Sequence, residues 1–143
     1  MASRMYGQAL AAALNKEIDW DSDDIRVMLT SAAYAPNQDS HRYLSDVTGE
    51  VTGAGYTAGG AALAGKTLTY DAATNVVVLD ANDVTFANST LTARYAVIYD
   101  NTPATAATKP LLGYVDFVSD QSSTNGNFTI TWDATGIFRI TVA

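Results

Sequence analysis

The chain has 143 residues, 48% of them hydrophobic and 16% charged, with a formal net charge of −7. That balance is too apolar for intrinsic disorder, and the absence of cysteine excludes disulfides, thiol nucleophiles and thiolate metal sites. One histidine, His41, excludes a multi-histidine metal centre. The eight Lys and Arg are scattered from Arg4 to Arg139, so neither nucleic acid nor an anionic membrane is expected as a partner.

In chain order, the first expected element is a helix over residues 4–16. Tyr6, Leu10, Ala13 and Leu14 fall on one stripe of a 3.6-residue period, the alanines add helix propensity, and Ser3 suits the N-cap. A helix this short needs a docking surface, either its own sheet or a neighbouring subunit. Arg4 ahead of the apolar run at 9–14 faintly imitates a secretory leader. The run is short and alanine-rich and no cleavage site follows, so no leader is expected, and no stretch approaches the roughly 20 apolar residues of a membrane helix.

The period then changes. Ile25, Val27 and Leu29 alternate with Arg26, Met28 and Thr30, which predicts a half-buried strand. Residues 31–65 hold Pro36 and six glycines and show no sustained period. They predict a long irregular excursion with a short helical turn at 41–44, of the kind that is functional or ordered by a partner. From residue 66 onward, strands are expected at 66–70, 75–79, 84–87, 91–100, 111–118, 127–132 and 136–142. The turns between them fall at 80–83, at the hairpin dipeptide Asn125-Gly126 and at 133–136, and a polar connection runs over 101–110. The fold class is therefore mainly β: one domain, an antiparallel β-sandwich or barrel, with a short N-terminal α-helix and a long irregular loop region.

Several motifs invite chemistry. Residues 60–67 match the phosphate-loop pattern, ending Gly65-Lys66-Thr67, and Asp80 closes an apolar run as a magnesium-linked Asp would. That motif needs a helix starting at its lysine, whereas Thr67-Leu68-Thr69-Tyr70 alternates like a strand, so a glycine-rich loop entering a strand is expected. Gly53, Gly55 and Gly59 lack the βα unit of a dinucleotide loop and read as a flexible or partner-ordered segment. Asp19, Asp21 and Asp23 are spaced like the first ligands of a calcium loop, but Asp24 stands where the loop needs Gly and Thr30 where it needs Glu. The expectation is a solvated acidic corner, with a structural Ca²⁺ as the open alternative. Ser40 is adjacent to His41, but neighbours along the chain do not establish a triad, so a surface or interface residue is expected there. Trp20, Tyr95, Tyr99, Phe117, Trp132 and Phe138 are expected in the core. No catalytic residue, cofactor or metal ligand is expected, and the chain is not expected to be an enzyme.

The order of segments resembles a known group. The helix runs into Glu17-Ile18-Asp19-Trp20 and a strand, followed by Arg42-Tyr43-Leu44-Ser45-Asp46-Val47, Leu63-Ala64-Gly65-Lys66-Thr67 and Asp83-Val84-Thr85-Phe86. Then come Ala93-Arg94-Tyr95-Ala96-Val97-Ile98-Tyr99-Asp100, Pro110-Leu111-Leu112-Gly113-Tyr114-Val115-Asp116-Phe117, and a close of Phe128-Thr129-Ile130-Thr131-Trp132 and Gly136-Ile137-Phe138. Across nearly the whole chain this resembles small virion structural proteins of tailed bacteriophages. The resemblance implies a capsid decoration (cement) protein on the virion exterior, assembled in the host cytoplasm. Its partners would be the major capsid protein and further copies of itself, with a trimer as the expected oligomer. Tail or head-fibre components and a host-glycan-binding β-sandwich are the alternatives. Tyr34, Arg42 and Tyr43 are the candidate interface anchors, since Tyr and Arg are enriched at hot spots. The excursion is expected to be separable from the β core: a deletion of 31–60 would abolish particle binding and leave the strands.

Overall fold

A computed structural model of the protein describes residues 2–142. Its elements are β1 (Ala2–Met5), α1 (Gly7–Leu14), β2 (Ile25–Thr30), β3 (Ala61–Ala62), β4 (Thr67–Asp71), β5 (Val76–Asp80), β6 (Val84–Asp100), β7 (Leu111–Ile130) and β8 (Phe138–Thr141). Single 3₁₀ turns lie at Leu44–Asp46 and Ala106–Thr108. The chain is mainly β, 47% strand and 10% helix, in two antiparallel sheets that form a sandwich-like fold without a closed barrel. One sheet has the order β1-β7-β6-β2-β3 and the other β4-β5-β8.

The first correction falls at the N-terminus. Ala2–Met5 is an edge strand on β7, with Arg4 opposite Tyr114, and the helix spans only Gly7–Leu14. Ser3 is not the N-cap: its hydroxyl donates to the Ile137 carbonyl, and Tyr6, in extended backbone, precedes the helix. The free edge of β7 offers unpaired backbone groups, and filling them outweighs the helix propensity of residues 4–6. The apolar stripe turns as well. Ala9 and Ala12 are buried, whereas Leu10 and Leu14 face solvent.

Strand β2 is buried on both faces. Ile25, Val27 and Leu29 join the larger core with Leu79, Phe86, Ile98, Trp132 and Phe138. Met28 belongs to a second cluster on the opposite face, with Tyr6, Tyr34, Val97, Tyr99 and Leu111. The half-buried reading of β2 missed this because the second face is covered by the excursion, through Tyr34, Leu44 and Val47. A long-range cover leaves no periodic signature in the strand itself.

Residues 84–100 and 111–130 are two long strands, each expected as two short ones. They pair from Val84 opposite Ile130 to Tyr99 opposite Leu111. The expected breaks are β-bulges: the register shifts between Phe86 and Ser89, between Ser89 and Leu91, and between Ala93 and Tyr95. Asn88, Val118 and Asn125 take left-handed backbone, at φ of 51°, 72° and 47°. Asn125-Gly126 is thus no hairpin; Gly126 lies within β7, opposite Ser89. Bulges use the same residue types as turns, because both need φ > 0, and they bend a strand without ending it.

Candidate partner interface

The excursion is fixed by its own chain. Ser31 N–H donates to the Gly49 carbonyl at 2.8 Å and Val51 N–H to Leu29 at 3.0 Å, which carries the backbone back along β2. Glu50 then clamps the glycine segment. Its carboxylate accepts from the Tyr56 hydroxyl at 2.8 Å and from Gly59 N–H at 2.6 Å, while the Tyr99 hydroxyl donates to the Gly59 carbonyl at 2.6 Å. Gly60, at φ +78°, lies so close that a Cβ would stand 1.8 Å from the Val27 carbonyl oxygen. The glycines therefore serve close backbone approach, and no partner is needed to order them. The expected deletion of 31–60 would also strip Tyr34 and Val51 from the two cores, so it is no test of an interface.

The three candidate anchors separate in depth. Tyr34 is 1% exposed; its hydroxyl shares a 2.6 Å hydrogen bond with that of Tyr6 and meets His41 Nδ1 at 2.9 Å. Burial raises the pKa of both tyrosines above the ordinary phenol value, so the bonded hydroxyls stay neutral. The single histidine thus anchors a buried hydroxyl chain at the surface, and Tyr34 supports the platform without forming its face. Arg42 and Tyr43 do reach solvent. The Arg42 guanidinium stacks 4.9 Å from the Tyr43 ring centroid and lies 3.4 Å from a Glu17 carboxylate oxygen, while its Nε has no acceptor. Asp46 fixes the backbone beneath them, accepting from Arg42 N–H at 2.8 Å and Tyr43 N–H at 3.0 Å; those two donors hold its carboxyl below the usual range. Leu111 N–H donates to the Arg42 carbonyl and Leu44 N–H to that of Lys109, which ties the platform to the connection end of the β6–β7 hairpin. A half-exposed guanidinium stacked beside a phenol presents planar donors suited to a partner's carboxylate or carbonyl, although the unsatisfied Nε is itself buried and is not among them.

The other motifs resolve as structure. Lys66 precedes strand β4, and its ammonium donates to the Asp23 carbonyl, so no helix N-terminus faces residues 60–67. At the acidic corner the Asp19 carboxylate accepts from the N–H groups of Asp21 and Ser22, both at 3.1 Å. Among the described residues no three acidic or histidine side chains converge as metal ligands would. Asp24 is drawn below its ordinary value: burial pushes it up, but the Asn101 amide and Arg26 outweigh that. Both tryptophans are buried, with Trp20 Nε1 donating to the Thr67 carbonyl and Trp132 Nε1 to that of Asn82, each at 2.9 Å. Tyr99 and Phe138 are core residues as expected, whereas Tyr95 and Phe117 are half-buried. No helix among the described residues is long and apolar enough to cross a membrane.

Sequence reasoning missed a second surface. Between α1 and the β4-β5-β8 sheet lies a groove of about 790 Å³, walled by Leu10, Leu14, Leu68, Val77, Ile140 and Val142. Leu68 and Tyr70 share one face of β4, in register with Leu79 and Val77 of β5 and with Phe138 and Ile140 of β8. That face is buried at Leu79 and Phe138 but exposed at Leu68 and Tyr70, because an eight-residue helix covers only part of it. The alternation of Leu68 and Tyr70 with threonines was the available signal; which side lacked a cover was not. Comparison with family models, curated proteins and solved structures returned no match to the chain.

Proposed function

We propose that this chain is a virion structural protein of a tailed bacteriophage, a capsid decoration protein that docks in many copies on the outside of the major capsid shell and stabilises it. The observation that carries the reading is the ordered series of segments quoted above, whose two longest pieces, 93–100 and 110–117, are the paired strands of the central hairpin. The Arg42–Tyr43 platform supports it, standing where that hairpin's connection meets solvent. Repetition over a lattice turns a modest contact of this kind into a durable one. The glycan-binding alternative gains no such support, since both tryptophans point inward.

The test adds purified chain to shells that lack it and measures co-sedimentation. Saturable binding at on the order of hundreds of copies per particle is expected, and Arg42→Ala and Tyr43→Ala should each weaken it about tenfold or more while the far-ultraviolet circular dichroism is unchanged. Saturation at roughly a dozen copies assigns the chain to the tail or a head fibre. No association with any part of the particle overturns the proposal.

A further inference from the structure

Five of the six large hydrophobic side chains exposed among the described residues gather at one place: Leu10, Leu14, Leu68, Tyr70 and Val142. Leu10, Leu14, Leu68 and Val142 line the groove between α1 and the smaller sheet, and Tyr70 shares the Leu68 face of β4 beside it. A contiguous apolar patch of this kind marks a contact surface. The groove is poorly suited to a small polar ligand, because most of the side chains that line it are apolar.

Its rim indicates the occupant. Three charged residues line it: Lys16, Asp19 and Asp21. The Asp19 carboxylate is engaged with backbone N–H groups of its own turn. Lys16 and Asp21 are exposed, opposite in sign and without a side-chain partner among the described residues. Leu14, 78% exposed, stands at the lip of the same hollow. Knob, hole, cation and anion therefore all belong to one patch. A surface that carries both halves of its own complement closes as a two-fold pair, in which residue i meets j and j meets i.

We propose that the groove between α1 and the β4-β5-β8 sheet is a homodimer interface, in which Leu14 of each copy enters the other's groove and Lys16 of each faces the other's Asp21. The inference gives a surface to the self-association that the resemblance implies, and it does not depend on shell binding. The proposed pair is two-fold, whereas the resemblance implies a trimer.

The test is sedimentation velocity of the full chain from roughly 5 to 200 µM, a span that captures weak and moderate self-association. The wild-type chain should approach twice its 15.1 kDa mass. Leu14→Asp should weaken association at least about tenfold, and because that side chain is exposed, its circular dichroism should match the wild type. Lys16→Asp and Asp21→Lys should each weaken the pair, and the two together should restore it. A wild type that stays monomeric throughout overturns the proposal, as does a trimeric mass or association indifferent to Leu14→Asp. Shell binding lost in Leu14→Asp by a chain that never pairs gives the groove to the shell instead. A dimer that ignores shells leaves this inference standing and removes the functional reading.

Discussion

Asp100 is the last residue of the central strand β6 and is 0% exposed. One carboxylate oxygen accepts from Thr102 N–H at 2.9 Å, and the other has no partner. Burial, and then the neighbouring Asp23 carboxyl, push its pKa up to about 6. At neutral pH the protein thus holds a buried, half-satisfied anion beside a second acid, which is a cost to folding. Asp100→Asn keeps the acceptor for Thr102 and supplies an N–H₂ toward Asp23. The substitution should stabilise the fold by about 1–2 kcal/mol near pH 7 and by much less near pH 4.5, where the wild-type carboxyl is already neutral. Urea midpoints at the two pH values check this; a variant less stable than wild type near neutrality would show that the charged form is needed. Nothing in the sequence marks this residue out. Tyr99-Asp100-Asn101 reads as a strand ending in a polar turn, and only the packing of the 19–24 segment buries the acid.

At the scale of elements, strands were legible wherever a local pattern decided them. Residues 66–70, 75–79 and 136–142 lie within about two residues of β4, β5 and β8, because alternation and flanking turn residues act over a few positions. Reading failed where pairing decided. Ala2–Met5 became a strand only because β7 offered an edge, and Asn125-Gly126 became a bulge only because β6 continued opposite it. The candidate interface residues divide in the same way. Arg42 and Tyr43 reach the surface, but Tyr34 has the same composition signal and lies in the core. The glycines of the excursion were visible as a cluster, and their purpose was not: flexibility and close approach look identical in a sequence. The distinction is measurable. Gly60→Ala must place a methyl against the Val27 carbonyl at φ +78°, and it should cost at least about 2 kcal/mol. Gly126→Ala meets only the Thr124 carbonyl oxygen at 3.6 Å, without a left-handed φ, and should stay within about 0.5 kcal/mol of wild type. Thermal melts of the two variants compare them directly. Equal, small losses would mean that the 53–60 segment is not seated on β2 as described.

Over the whole molecule the carboxylates pull stability in two directions. Asp46 and Asp116 sit below their ordinary values, Asp46 through backbone N–H donors and Asp116 through the Arg94 guanidinium at 2.9 Å. Asp24 joins them through Asn101 and Arg26, against the opposing effect of burial. A group whose folded value is depressed stabilises the fold above its unfolded value, and that contribution disappears as pH falls through the folded one. These three therefore weaken the protein on the acid side of about pH 4. Asp100 does the reverse. Its folded value is raised, so the folded state holds a proton that the unfolded chain releases, and its contribution is lost as pH rises from about 4 through 6. The net charge of −7 at pH 7 adds self-repulsion that grows in the same direction, away from an isoelectric point near 4.3. The melting temperature should therefore peak between about pH 4 and 6 and decline toward pH 8, unlike a protein whose acids are all depressed. Salt should recover the repulsive part of that decline by screening exposed charges, but not the part due to Asp100, which is shielded from solvent. Melting curves across this range, at low and at about 0.5 M salt, separate the two contributions, and adding Asp100→Asn should flatten what salt leaves behind. A melting temperature that climbs steadily from pH 5 to 8 would mean that Asp100 is hydrated and ionises without penalty.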